Sequence, residues 1–194
     1  MRRRVGILIS GRGSNMASLI AAAREKDFPG EIVLVVSNRP EAPGLDLARQ
    51  AGVKAVAVDH KTFKGDRAAH DAAIDDLLRE AGVEIVCLAG YMRLLTPRLI
   101  EPWQGRMLNI HPSLLPAFPG LHTHERALAA GAAEHGCTVH VVTQTMDEGP
   151  ILAQASVPVL ADDTPETLAA RVLAQEHIIY PRALRDFAMA MKQS

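Results

Sequence analysis

Five short runs rich in branched apolar residues, VGILIS (5–10), EIVLVVS (31–37), KAVAV (54–58), EIVCLA (84–89) and RMLNI (106–110), recur with helical stretches between them. Near-continuous apolar runs of this length suit strands buried on both faces. In the segment 67–81, Ile74, Leu77, Leu78 and Ala81 follow the i, i+3, i+4, i+7 spacing of a one-faced helix. This βαβ alternation predicts an α/β fold, a doubly wound and mostly parallel sheet with helices on both faces. After residue 120 the rhythm changes to a helix near 123–131, then CTVHVVT (137–143) and ILAQASVPV (151–159) joined by the short loop TMDEGP. That pairing predicts an antiparallel hairpin near the C-terminal edge of the sheet. A closing helix is predicted from about Thr164 to Met189, with Thr164 as its N-cap and Pro165 in the first turn. No repeat or low-complexity linker divides residues 1–194, so one domain is expected.

Composition narrows the partners. At 194 residues and 48% hydrophobic, folding is expected to bury roughly 70% of the unfolded surface, which needs neither a disulfide nor a metal. Lys and Arg total 21 against 22 Asp and Glu, a net charge of −1 with no basic block, so no nucleic-acid footprint is visible. No apolar run approaches the roughly 20 residues that cross a membrane. The opening MRRRVGILISGRG has a charged start, but its apolar stretch covers only Val5 to Ile9 and no small-residue cleavage site follows. It is the first strand. Cys87 and Cys137 sit inside apolar runs, as small buried hydrophobes do in a reducing compartment. A cytoplasmic protein that binds small molecules, and neither nucleic acid nor membrane, is the expectation.

The stretch MLNIHPSLLPAFPG (107–120) ends an apolar run on Asn109 and His111. Alternate residues of a strand share a face, and Pro112 stops the ladder beside His111, so both side chains project together at a strand end. At the carboxyl end of a parallel strand that face borders the usual ligand crevice, although a hydrogen-bonded core histidine fits the same pattern. SGRGSNMASL (10–19) follows the first strand and opens a helix. Gly11 and Gly13 allow a tight turn, and Ser14 and Asn15 bring donors to the positive helix end, where a phosphate binds. A βα turn merely capped by Ser14 fits equally. A dinucleotide fingerprint is absent, since Met16 stands where the third glycine belongs. TMDEGP (145–150) carries Asp147 and Glu148, which also suit a solvated turn. LAGYMRLLTP (88–97) offers either core packing by Met92, Leu94 and Leu95 or an apolar slot for a flat heterocycle. His111, His122 and His124 lack metal-ligand spacing, so no metal is expected.

Taken in order, GRGSN, LAGYMRLL, NIHPSLLPAFPG and MDEGPI resemble the glycinamide ribonucleotide transformylase family over essentially the whole chain. The NIHPSLLP stretch by itself resembles the wider group of enzymes that use 10-formyltetrahydrofolate, among them methionyl-tRNA formyltransferase and formyltetrahydrofolate hydrolase. GRGSN and the chain length favour the ribonucleotide branch. The resemblance implies formyl transfer from 10-formyltetrahydrofolate, as cosubstrate, to the glycyl amine of glycinamide ribonucleotide. It further implies a catalytic trio of Asn109, His111 and Asp147, with Asn109 donating to an oxyanion and Asp147 favouring a protonated His111. Gly13, Ser14 and Asn15 are implied to hold the substrate phosphate and Glu176 the ribose hydroxyls. Met92, Arg93, Leu94, Leu95 and Asn109 are implied to meet the folate, and Arg67 its glutamate tail. Thr138 and His140 are expected to support the site through water. A monomer or homodimer is expected, and a formyl-folate hydrolase is the runner-up.

Overall fold

The computed structural model describes residues 2–191. Seven strands form one sheet: β1 (Arg3–Ile9), β2 (Gly30–Ser37), β3 (Ala55–Ala57), β4 (Ile85–Leu88), β5 (Met107–His111), β6 (Glu134–Val141) and β7 (Ile151–Pro158). Among the described residues six α-helices accompany them, with none between β6 and β7: α1 (Ser14–Ala23), α2 (Pro43–Gln50), α3 (Arg67–Glu80), α4 (Pro97–Ile100), α5 (Thr123–Ala129) and α6 (Pro165–Ala190). The strand order is β3-β2-β1-β4-β5-β6-β7. Pairing is parallel from β3 through β5 and antiparallel from β5 to β7. The doubly wound sheet and its C-terminal hairpin are therefore as the sequence predicts. The order reverses between β1 and β4, a switch point of the kind beside which open α/β sheets form ligand crevices.

Burial on both sides explains the apolar runs. Val5, Ile7 and Ile9 pack with Met16 and Leu19 of α1 and Tyr180 and Leu184 of α6. Leu8 points to the other face, where Leu34, Val36, Ile74, Leu78 and Trp103 form the second core. The predicted amphipathic face of residues 67–81 holds, with Ile74 and Leu78 buried and Leu77 and Ala81 packed beside them. Two carboxylates share it, for Asp71 and Asp75 are also buried. β3 is shorter than KAVAV suggests, because it is an edge strand whose residues are only half buried.

At α6 the predicted cap forms, as Thr164 accepts from the Thr167 N–H and Thr167 reaches back to the Thr164 N–H. Pro181 lies inside this helix without ending it. Its missing N–H costs a ladder bond, but Tyr180, Ala183 and Leu184 around it are buried and hold the helix against the sheet. Among the described residues no helix is long and apolar enough to cross a membrane.

Candidate active site

β5 ends at His111, and the antiparallel register sets Asn109 opposite His140 and His111 opposite Thr138. Asn109 Nδ2 lies 3.1 Å from His140 Nε2, and His140 Nδ1 lies 3.2 Å from the Val141 carbonyl. A carbonyl only accepts, so Nδ1 carries the hydrogen and Nε2 offers a lone pair to the Asn109 amide. Burial pushes the His140 pKa down, against the pull of the Val141 carbonyl and Asp147, which suits a neutral acceptor. His140 therefore fixes which way the Asn109 amide faces. This is a direct contact, where the sequence suggested support through water.

The β6–β7 loop brings Asp147 between the two imidazoles. Its carboxylate oxygens lie 3.6 Å from His111 Nδ1 and 3.7 Å from His140 Nε2, both beyond hydrogen-bond distance. Asp147 Oδ2 accepts the Gly120 N–H at 2.9 Å, tying the proline-rich loop after β5 to the β6–β7 loop. Asp147 has φ of 58°, a left-handed conformation that Asp tolerates better than most residues. Gly149 is required close by, because a Cβ there would stand 1.6 Å from the Val141 carbonyl oxygen. His111 Nε2 donates to the Phe118 carbonyl at 3.1 Å, so its two ring nitrogens face an acceptor and a carboxylate. Only the doubly protonated ring presents an N–H to each.

Thr138 differs from its expected role. Its buried hydroxyl donates to the Ser113 carbonyl at 2.7 Å and accepts from the Leu115 N–H at 3.1 Å and Gln154 Nε2 at 2.9 Å. With those partners it braces the proline-rich loop and has no capacity left to reach the trio. Beneath the same loop His135, 1% exposed, lies 3.2 Å from His124 across their ring nitrogens and meets the Phe118 ring edge-on. His124 is thus paired with His135 and does not join His111 in a triad. Among the described residues no group of three or more His, Cys, Asp or Glu is arranged to hold a metal.

Burial pushes the His135 pKa down from 6.5 to about 4, with His124 and His111 adding to the effect. Between those values the unfolded chain binds a proton that the folded chain does not, so stability is expected to fall as pH drops from 6.5 to 4. His135→Gln should flatten that slope. Urea unfolding of both proteins at several pH values across the window checks this, and equal slopes would count against it.

At the start of α1 the cap is Gly13, with φ of 75°, and no side chain caps the helix, so Ser14 is its first residue rather than its cap. Asn15 is 8% exposed, and its Nδ2 donates to Glu176 Oε2 at 2.7 Å. The structure thus joins two residues 161 positions apart. Burial pushes the Glu176 carboxyl up, while the Asn15 amide favours its charged form. In the β4–α4 loop, Met92 and Leu94 are exposed by 66% and 60%, and of the three apolar residues only Leu95 packs on the core. The core-packing reading therefore fails for Met92 and Leu94. Arg93 is half buried, and Arg67 is exposed at the first position of α3. Burial pushes both thiols, Cys87 and Cys137, up to about 12, so neither is a thiolate nucleophile at neutral pH.

A formyl transferase family model matches residues 3–184. The chain belongs to the formyl transferase family. A solved phosphoribosylglycinamide formyltransferase from Brucella melitensis is 58% identical with a TM-score of 0.93, each chain covered in full. The phosphoribosylglycinamide formyltransferase of Escherichia coli is 44% identical over 182 residues, 94% of this chain and 85% of that one. The trifunctional purine biosynthetic protein adenosine-3 of Bos taurus is 49% identical over 184 residues, 95% of this chain but 18% of its own length. This formyl transferase thus spans about a fifth of that animal relative. Ser10, Asp71, Phe118 and Gly120 also bond to the candidate residues or their loops and are not singled out by the sequence. Asp71 alone left a signal, a carboxylate at a core-facing position of an amphipathic helix.

Proposed function

We propose that this chain transfers the formyl group of 10-formyltetrahydrofolate to the glycyl amine of glycinamide ribonucleotide. The carrying observation is one linked cluster on adjoining strands and loop, in which the Asn109 amide meets His140 and the Asp147 carboxylate stands between His140 and His111. In this reading the neutral amine attacks the formyl carbon, forming a C–N bond and leaving negative charge on the formyl oxygen. The Asn109 N–H not bound to His140 donates to that oxygen. His111 exchanges its Phe118 carbonyl partner for N10 and passes it the Nε2 proton as the C–N10 bond breaks. The proton released by the amine restores the imidazolium, so the trio is unchanged after each turnover.

The α1 end carries Gly13, Ser14 and Asn15 for the phosphate, with Glu176, held by Asn15, for the ribose. The exposed Met92 and Leu94, with Arg93 and Leu95, form the folate slot, and Arg67 meets the glutamate tail. No metal takes part. The enzyme works in the cytoplasm, as a monomer or homodimer.

Turnover of 10-formyltetrahydrofolate with and without glycinamide ribonucleotide tests the reading. Dependence on the amine supports transfer, equal formyl loss to water without it marks a hydrolase, and no turnover marks a binding protein. The phosphate loop favours the first.

A further inference from the structure

The loop 89–96 between β4 and α4 presents Met92 and Leu94 to solvent, so packing does not hold those side chains. Two buried polar devices hold the backbone beneath them. The first runs across the carboxyl ends of four adjacent strands, in the sheet order β3-β2-β1-β4. His60 Nδ1, just after β3, lies 2.8 Å from the Asn38 carbonyl. Asn38, just after β2, accepts through Oδ1 from Ser10 Oγ at 2.5 Å. Ser10, just after β1, accepts the Met92 N–H at 2.8 Å. Ser10 and Asn38 are 4% and 2% exposed. The second device is Asp71 of α3, 2% exposed, whose Oδ2 accepts both the N–H and the hydroxyl of Thr96, each at 2.7 Å.

Buried polar groups cost desolvation and contribute little net stability when paired, so their placement specifies geometry more than it adds stability. Both lines of bonds converge on one loop. One pins it at Met92, the first of the exposed apolar pair, and the other at Thr96, two residues beyond Leu94. Arg67 precedes Asp71 by one helical turn, so the second bond also fixes the helix bearing Arg67 against the loop.

We propose that Ser10, Asn38 and Asp71 are positioning residues for the formyl-folate cosubstrate. They hold the main chain of residues 92–96 at the height where its polar groups read the edge of the pteridine and its apolar side chains cover the ring. The assignment rests on the formyl-transfer reading above. A flat heterocycle gains affinity from a preorganised slot, because a mobile loop must be ordered on binding.

The test compares wild type with Ser10→Ala, Ser10→Thr, Asp71→Asn and Asp71→Ala. Losing one such hydrogen bond is expected to raise KM for 10-formyltetrahydrofolate about tenfold. KM for glycinamide ribonucleotide and kcat should move less than about threefold, on the same order-of-magnitude basis. Ser10→Thr and Asp71→Asn, which keep an acceptor, should recover part of the loss. Amide hydrogen exchange supplies a readout free of turnover: the Met92 N–H should exchange faster in Ser10→Ala and the Thr96 N–H in Asp71→Ala. Should Asp71→Ala fail to fold, Ser10→Ala and Asp71→Asn carry the test. An unchanged folate KM in folded variants, or an equal rise for both substrates, overturns the inference. If wild type transfers no formyl group, the function reading fails instead. Equilibrium binding of tetrahydrofolate then decides the clamp, weaker binding with faster exchange supporting it and unchanged values overturning it.

Discussion

Replacing Asn109 by Ala is expected to lower kcat by about 10²- to 10³-fold while KM for both substrates moves only a few-fold. The amide of Asn109 has two N–H groups, and His140 Nε2 takes one of them at 3.1 Å. Since Val141 holds the His140 hydrogen on Nδ1, Nε2 has no hydrogen to donate to the amide oxygen, so Asn109 must turn an N–H toward it. The second N–H is thereby aimed rather than free to rotate. A donor fixed in advance needs no reorganisation when charge develops, so its removal is felt in the transition state more than in substrate binding. Steady-state kinetics with both substrates varied, beside a thermal melt to confirm folding, measure this. A kcat within about twofold of wild type would leave Asn109 as a strand-end hydrogen bonder.

The first strand was legible in the sequence because its residues are buried on two faces. Val5, Ile7 and Ile9 meet one core and Leu8 the other, so the run could not alternate with polar residues. The shared direction of Asn109 and His111 was legible too, since it follows from the period of two within one strand. The direction of the neighbouring strand was not. A strand has the same internal pattern beside a parallel or an antiparallel partner, yet only the antiparallel register puts Asn109 opposite His140. Nor does local periodicity reveal that the Asn15 amide is bound to Glu176, because the bond is made between α1 and α6 across the fold. Thr138 was misread for a related reason. Its face was right, but its hydroxyl was already used by Ser113, Leu115 and Gln154 from the loop and the edge strand. Hydrogen-bond capacity is a property of the packed neighbourhood, and a side chain's orientation alone does not give it.

Asp147→Asn and His111→Asn are each expected to lower kcat by about 10²- to 10⁴-fold, the range for losing a positioned proton donor. Asn is the informative replacement at 147. It tolerates the φ of 58° and keeps an oxygen for the Gly120 N–H, so the tether between the two loops survives while the charge is removed. What is lost is the carboxylate 3.6 Å from His111 Nδ1, which in the proposed mechanism stabilises the ring while it carries its extra proton. If Asp147 acts through His111, removing the imidazole already forfeits that benefit. The double variant should then be no slower than the slower single variant, because residues acting as a unit are not additive. If the two losses instead multiply, Asp147 works by a separate route, either through His140, 3.7 Å from its other oxygen, or on the amine itself. Single-turnover rates of the three variants, each shown by its melting curve to be folded, separate the alternatives. The geometry favours the non-additive result, since His111 is the group that must pass a proton and His140 already has its hydrogen committed to Val141.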